Sequence, residues 1–104
     1  MKAPTLKFQD YTCKAFLRSY PNGRPAIELV DAEDGSPILV PTVNLIDIDI
    51  SPGFTFVRLN GIYAGAFDAL ENAGLIDPTN AVFDVGFCQK DARLVAVIPS
   101  AFEV

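Results

Sequence analysis

Apolar and polar residues alternate along the first part of the chain. Cys13, Ala15 and Leu17 interleave with Lys14, Phe16 and Arg18, the period of two that lets a strand bury one face and wet the other. Pro21-Asn22-Gly23 turns the chain, after which Ile27 and Leu29 take one side of a second strand and Glu28 the other. Glu33-Asp34-Gly35-Ser36-Pro37 makes the next turn, because glycine supplies positive φ and proline cannot continue a central ladder. The run Ile38 to Leu45 follows as a third strand. Pro41 lies inside it and has no N–H to donate, so it marks an edge or a bulge. Three strands joined by two tight turns predict an antiparallel meander.

The phase of the pattern then slips. Leu39, Val43 and Leu45 occupy odd positions, whereas Ile46, Ile48 and Ile50 occupy even ones. A shift of one residue turns every side chain to the other face, so a bulge or break is expected near Asn44 to Ile46. Past it, the isoleucines point inward and Asp47 and Asp49 face solvent. Ser51-Pro52-Gly53 turns the chain into a fourth strand, Phe54 to Leu59, dense in β-branched and aromatic residues. The period changes to that of a helix after Asn60, a residue suited to capping. Ile62, Ala66, Ala69, Leu70 and Ala73 share one side of a wheel, widened by Tyr63 and Phe67, and Gly74 sits where a helix ends in a left-handed residue. The predicted helix covers residues 62 to 73, with Gly65 weakening its interior by up to about 1 kcal/mol and Pro78 preventing its resumption. Phe83, Val85 and Phe87 then alternate with Asp84 and Gly86. Gln89 to Ala92 turns, and Leu94 to Ile98 is a continuous apolar strand. The predicted order is β-β-β-β-α-β-β: an α+β fold in which an antiparallel meander sheet of about six strands packs against one amphipathic helix.

The 104 residues are expected to form a single domain, 1–104, since no linker, repeat or low-complexity tract interrupts them. Half of the composition is hydrophobic, and a domain this small leaves part of such a content at its surface, which points to self-association or a partner. Thirteen acids against eight bases give a net charge of −5. The bases, Lys2, Lys7, Lys14, Arg18, Arg24, Arg58, Lys90 and Arg93, are scattered. No basic patch can neutralise phosphates, so direct nucleic-acid binding is not expected. Two cysteines in no metal spacing exclude a disulfide-dense scaffold. The start "MKAPTLKFQDY" lacks a signal peptide's apolar region and no run is long enough to span a membrane. A cytoplasmic protein with reduced thiols is expected.

Candidate chemistry is sparse. The chain has no histidine, which removes Ser-His-Asp and Cys-His machinery together with the commonest general base and zinc ligand. In "NLIDIDIS", Asp47-x-Asp49 after an apolar run resembles the phosphoryl-transfer motif of haloacid-dehalogenase-like enzymes. The downstream lysine and acidic pair and the parallel α/β layout of that pattern are missing. No calcium loop or glycine-rich phosphate loop is present. Neither a catalytic residue, a metal ligand nor a cofactor is therefore assigned. Asp31, Glu33 and Asp34 crowd one turn, where aspartate is favoured for local hydrogen bonding, and are candidates for holding a cation or meeting a basic patch on a partner. The last strand is apolar on both faces, and one helix can cover only one of them. Val95 and Val97, with Phe83 or Phe87 nearby, are therefore the expected partner or dimer surface; the alternative is a curled sheet or half-barrel that covers them internally.

One stretch has a further reading. "YPNGRPAIELVDAEDGSPILVPTVNL" resembles the first half of a family of small bacterial proteins carried by plasmids, conjugative elements and phages. The matching residues are Tyr20, Asn22-Gly23-Arg24, Ala26-Ile27 with Leu29, Asp34-Gly35 with Pro37, and Thr42-Val43-Asn44-Leu45. The resemblance continues through "FTFVRLN", "DALENAGLID" and "VGF". Where the family has a polar Glu-Asn-Glu-Gly-like segment before its helix, this chain has "NGIYAGAF". The family has no established activity, so the resemblance implies a setting: an accessory protein of a mobile element or phage. The expected function is non-enzymatic protein binding, to a host or defence protein or to a second copy, as in anti-defence inhibitors of the anti-CRISPR kind. The alternatives are a small enzyme or ligand-binder that uses Asp47 and Asp49 with a divalent cation, and a self-assembling structural protein.

Overall fold

The computed structural model describes residues 3–103. Its α+β class, its antiparallel pairing and its one α-helix are those the pattern predicts. Strands β1 (Thr5–Phe8), β2 (Tyr11–Ser19), β3 (Pro25–Asp31) and β4 (Pro37–Leu39) form one sheet in that order. Strands β5 (Thr42–Val43), β6 (Phe54–Arg58), β7 (Ile76–Val85) and β8 (Cys88–Val97) form a second, ordered β5-β6-β8-β7. Helix α1 (Ala66–Asn72) lies between β6 and β7 in the chain.

The extra strands have simple origins. In β1, Leu6 and Phe8 are buried and face the interior opposite Cys13 and beside Ala15. The β1–β2 turn contains no glycine or proline: Gln9 itself adopts φ 53°. The predicted run from Ile38 to Leu45 is broken by the fully buried Pro41 into β4 and β5. The chain leaves the first sheet there and joins the second. The Pro41 carbonyl still accepts the Arg58 N–H at 2.8 Å, so only the missing donor ends the ladder. The expected inward face of Ile46, Ile48 and Ile50 does not form. Residues 44–53 are a loop, with Ile46 69% exposed.

The inner faces of the two sheets share one core. Leu6, Phe8, Cys13, Ala15, Ile27 and Leu29 come from the first sheet, and Val57, Ile76, Val95 and Val97 from the second. Ala66, Phe67 and Leu70 of α1 and Phe102 of a C-terminal 3₁₀ turn complete it. The second layer that the sequence reading could not find for the last strand is the meander itself. Val95 is fully buried and Val97 nearly so. They are core residues, and the partner surface expected on them is corrected accordingly.

The predicted helix is also shortened. Gly65 adopts φ 89° at the N-cap, a left-handed conformation that glycine reaches at little cost. Residues Gly61–Tyr63 therefore form a separate 3₁₀ turn, which leaves Ile62 69% exposed instead of on the apolar face. Asn60 makes no side-chain cap hydrogen bond. The C-terminus is as expected: Gly74, at φ 75°, donates to the Glu71 carbonyl and Leu75 donates to that of Leu70, the paired bonds of a Schellman end. Pro78 falls within β7, followed by a register shift between Pro78 and Val82. The Thr79 hydroxyl donates to the Leu94 carbonyl, and Arg93 donates to the Thr79 carbonyl while lying over the Phe67 ring at 4.9 Å.

Candidate interaction surfaces

A buried ionisable group lies near the start of β8. Asp91 is buried, with Oδ2 accepting Arg58 Nε at 2.7 Å and Oδ1 accepting the Asn60 N–H at 2.9 Å. The Arg58 guanidinium lies over the Tyr63 ring at 4.7 Å. Burial works to raise the Asp91 pKa, but the bonds from Arg58 and Asn60 outweigh it and hold the carboxyl below the ordinary range. Every partner is spoken for within the fold, so the pair ties the end of β6 and the 3₁₀ turn to the base of the β7–β8 hairpin. It is a structural clasp.

Asp47 and Asp49 lie exposed in the 44–53 loop. Arg24 shapes that loop by donating to the carbonyls of Leu45 at 2.8 Å and Ile48 at 2.5 Å. Asn22 donates from Nδ2 to Asn44 Oδ1 at 3.1 Å. The Asn-Gly-Arg turn thus reaches across the molecule, which a local reading of turn chemistry misses. Among the described residues, no three His, Cys, Asp or Glu side chains converge on a point that would hold a metal ion. Cys13 is a buried free thiol, pushed up in pKa by burial and then by the Asp31 charge, whereas Cys88 is exposed.

Asp31, Glu33 and Asp34 do come together, in the turn between β3 and β4. Asp31 Oδ1 accepts the Glu33 N–H at 2.8 Å, and Asp34 Oδ1 accepts both the Ser36 N–H at 2.9 Å and its hydroxyl at 2.6 Å. The Ser36 hydroxyl, and then its N–H, hold the Asp34 carboxyl below its ordinary pKa. The turn rims a depression of 480 Å³ on the outer face of the first sheet, with Phe16, Val30 and Pro37 among its lining. Arg18 pairs with Glu28 at 3.2 Å at its other end and lies over the Phe16 ring at 4.9 Å.

The four apolar candidates are dispersed. Val95 and Val97 point inward. Phe83 is on the opposite face of the second sheet, packed edge-to-face on Phe56 with ring centroids 5.3 Å apart. Phe87 stands fully exposed in the β7–β8 turn. Tyr11 and Ile62, 47% and 69% exposed, are among the exposed apolar side chains that the sequence reading missed. They flank a groove of 460 Å³ whose walls include Phe8, Ile38, Leu39 and Asp31. Ile62 was legible only as a helix-face residue, and nothing in the pattern singled out Tyr11.

The chain matches no family model, no curated protein and no solved structure. Its surface is therefore the guide to its chemistry. No helix among the described residues is long and apolar enough to cross a membrane. The outer-face depression with its acidic rim and the groove beside Ile62 meet at Asp31 and Pro37.

Proposed function

We propose that the chain is a non-enzymatic protein-binding accessory protein of a mobile element or phage, one that occupies a surface on a host or defence protein as an anti-defence inhibitor does. The observation that carries this reading is the acidic turn at the rim of the outer-face depression. The carboxylates of Asp31 and Asp34 are fixed by turn hydrogen bonds, so less ordering is left to be done when a basic partner arrives. Phe16, Val30 and Pro37, which line the depression together with Lys14, Arg18 and Glu28, supply apolar contact inside the polar rim. The net charge of −5 favours fast association with a basic surface. The resemblance of residues 20–45 to proteins of mobile elements supplies the setting, and the bacterial cytoplasm, where both thiols stay reduced, goes with it.

The test is retention of host proteins on the immobilised chain, from lysates of bacteria with and without defence systems. The expected result is a protein that the wild type retains, that elutes as salt screens the charges, and that the Glu33→Gln/Asp34→Asn variant fails to retain. Equal retention by wild type and variant, or none at concentrations that detect micromolar binding, refutes the reading.

A further inference from the structure

Asparagine followed by glycine occurs twice, at 22–23 and 60–61, and the fold holds the two pairs differently. Asn-Gly is the dipeptide at which an asparagine most readily converts its own side chain, because glycine has no Cβ to obstruct the approach of its nitrogen. At the first pair all the reacting groups are engaged. The Gly23 N–H donates to the Tyr20 carbonyl at 2.8 Å, Asn22 Oδ1 accepts the Arg24 N–H at 3.2 Å, and Asn22 Nδ2 donates to Asn44 Oδ1 at 3.1 Å. The nucleophile and both ends of the amide have to let go before they can meet.

The second pair is free of such bonds. Asn60 and Gly61 are both exposed. The Asn60 side chain makes no cap hydrogen bond, and the Gly61 N–H has no acceptor among the described residues. The Gly61 nitrogen can therefore give its proton to hydroxide and attack Asn60 Cγ. The Cγ–Nδ2 bond breaks, ammonia leaves with a proton from water, and a succinimide ring remains. Water then opens the ring at one of its two carbonyls, giving aspartate or, with the main chain rerouted through Cβ and Cγ, isoaspartate. The net change is one water consumed, one ammonia released and one negative charge added to a chain already at −5.

The position matters because the main chain of Asn60 serves the clasp. Its N–H donates to Asp91 Oδ1 at 2.9 Å, and its carbonyl accepts the Tyr63 N–H at 3.2 Å. Tyr63 in turn carries the Arg58 guanidinium over its ring. In isoaspartate that carbonyl leaves the main chain as a carboxylate, and an extra carbon lengthens the path to Gly61. The 3₁₀ turn loses its register while a second negative charge arrives on the residue bonded to Asp91. We propose that Asn60 is a site of spontaneous deamidation, and that its conversion to isoaspartate loosens the clasp between Arg58 and Asp91. The proposal is independent of the host-protein reading, which uses the outer face of the first sheet.

The test is to hold the folded chain in mildly alkaline, heavy-oxygen water and to map the label by peptide mass, with isoaspartate scored by enzymatic methylation. Label is expected at residue 60, mostly as isoaspartate, while residue 22 stays unlabelled. In denaturant, where no turn protects either, both are expected to react. The converted chain, separated by its extra charge, is expected to melt about 4–8 °C below the unconverted one, the loss of roughly one hydrogen bond. Asn60→Gln, which closes no such ring readily, is expected to keep its melting temperature over the same incubation. Equal labelling of residues 22 and 60 in the folded chain overturns the proposal, as does a residue 60 that stays unlabelled while the denatured chain reacts. So does a converted chain that melts with the unconverted one, or a melting temperature that falls as fast in Asn60→Gln as in the wild type.

Discussion

Removing the carboxylate at position 91 tests how much the clasp at the hairpin base stabilises the fold. The Asp91 side chain is 2% exposed and that of Arg58 20%. In Asp91→Ala the guanidinium loses its counter-ion and the Asn60 N–H its acceptor. Stripping one partner from a buried pair costs about 3–5 kcal/mol. Arg58 keeps some contact with water, so the lower figure, about 3 kcal/mol, applies. For a domain near 100 residues each kcal/mol lowers the melting temperature by about 4 °C, a drop of about 12 °C. Arg58→Met/Asp91→Leu should recover most of this, because replacing both charges with apolar groups is often close to neutral. The acid limb gives an independent check. The Asp91 pKa is lowered on folding, so its contribution is fully present above the unfolded value of about 3.9 and is lost as pH falls through the folded one. Melting curves of wild type and Asp91→Ala, followed by circular dichroism, should therefore converge as the pH drops below about 4. A gap under about 2 °C at pH 7, half a kcal/mol by the same conversion, would sink the argument, as would a gap that persists unchanged in acid.

Three further outcomes follow from the geometry. Gly65→Ala meets no atom within 4 Å but must hold φ 89°, so it should destabilise by about 1–2 kcal/mol in urea titrations; a helix-interior glycine would give stabilisation instead. Val97→Lys places a charge in the core beside its ladder partner Ile76 and should abolish the cooperative melt of the isolated chain; a folded variant would return Val97 to the surface. Arg24→Gln should cost about 1.5–3 kcal/mol for the lost charged hydrogen bonds and speed amide exchange in residues 45–53 while leaving the β2–β3 ladder protected; unchanged exchange there would show that Arg24 does not hold the loop.

The inner faces of β2 and β3 were readable from Cys13, Ala15, Ile27 and Leu29, although β3 also buries Ala26 and Val30 on its other face. The β1 strand was hidden by its turn: Gln9 at φ 53° carries none of the glycine, asparagine or proline signals that announce a hairpin. Gly65 was ambiguous in principle, since an interior glycine and an N-cap glycine look alike until the backbone is seen. The sequence reading gave the helix one face of β8 and left Val95 and Val97 on the other, whereas helix and meander share the core with Val95 and Val97 and leave Leu94 and Ala96 half-buried; which elements share a face is a tertiary property that periodicity does not encode. The same holds for the sites. The acidic turn was visible because aspartates such as Asp31 and Asp34 accept from nearby backbone N–H groups, as they do here. The reach of Arg24 to two carbonyls was not, because carbonyls leave no mark on a sequence. Phe87 looked like one more alternating residue, and its exposure comes from a hairpin that outruns the layers beside it.

The crossing at Pro41 also sets an order of events during synthesis. Every pair in the first sheet joins strands that follow one another in the chain and ends at Leu39. The second sheet needs β6 to find β8 across the helix and β7, the kind of distant closure that slows folding. As the chain emerges from a ribosome, the meander can pair while its apolar face, with Cys13 at its centre, still has nothing to cover it. That thiol becomes inaccessible when the second sheet docks, so the rate at which Cys13 escapes alkylation on nascent chains of increasing length is a clock for the closing of the core.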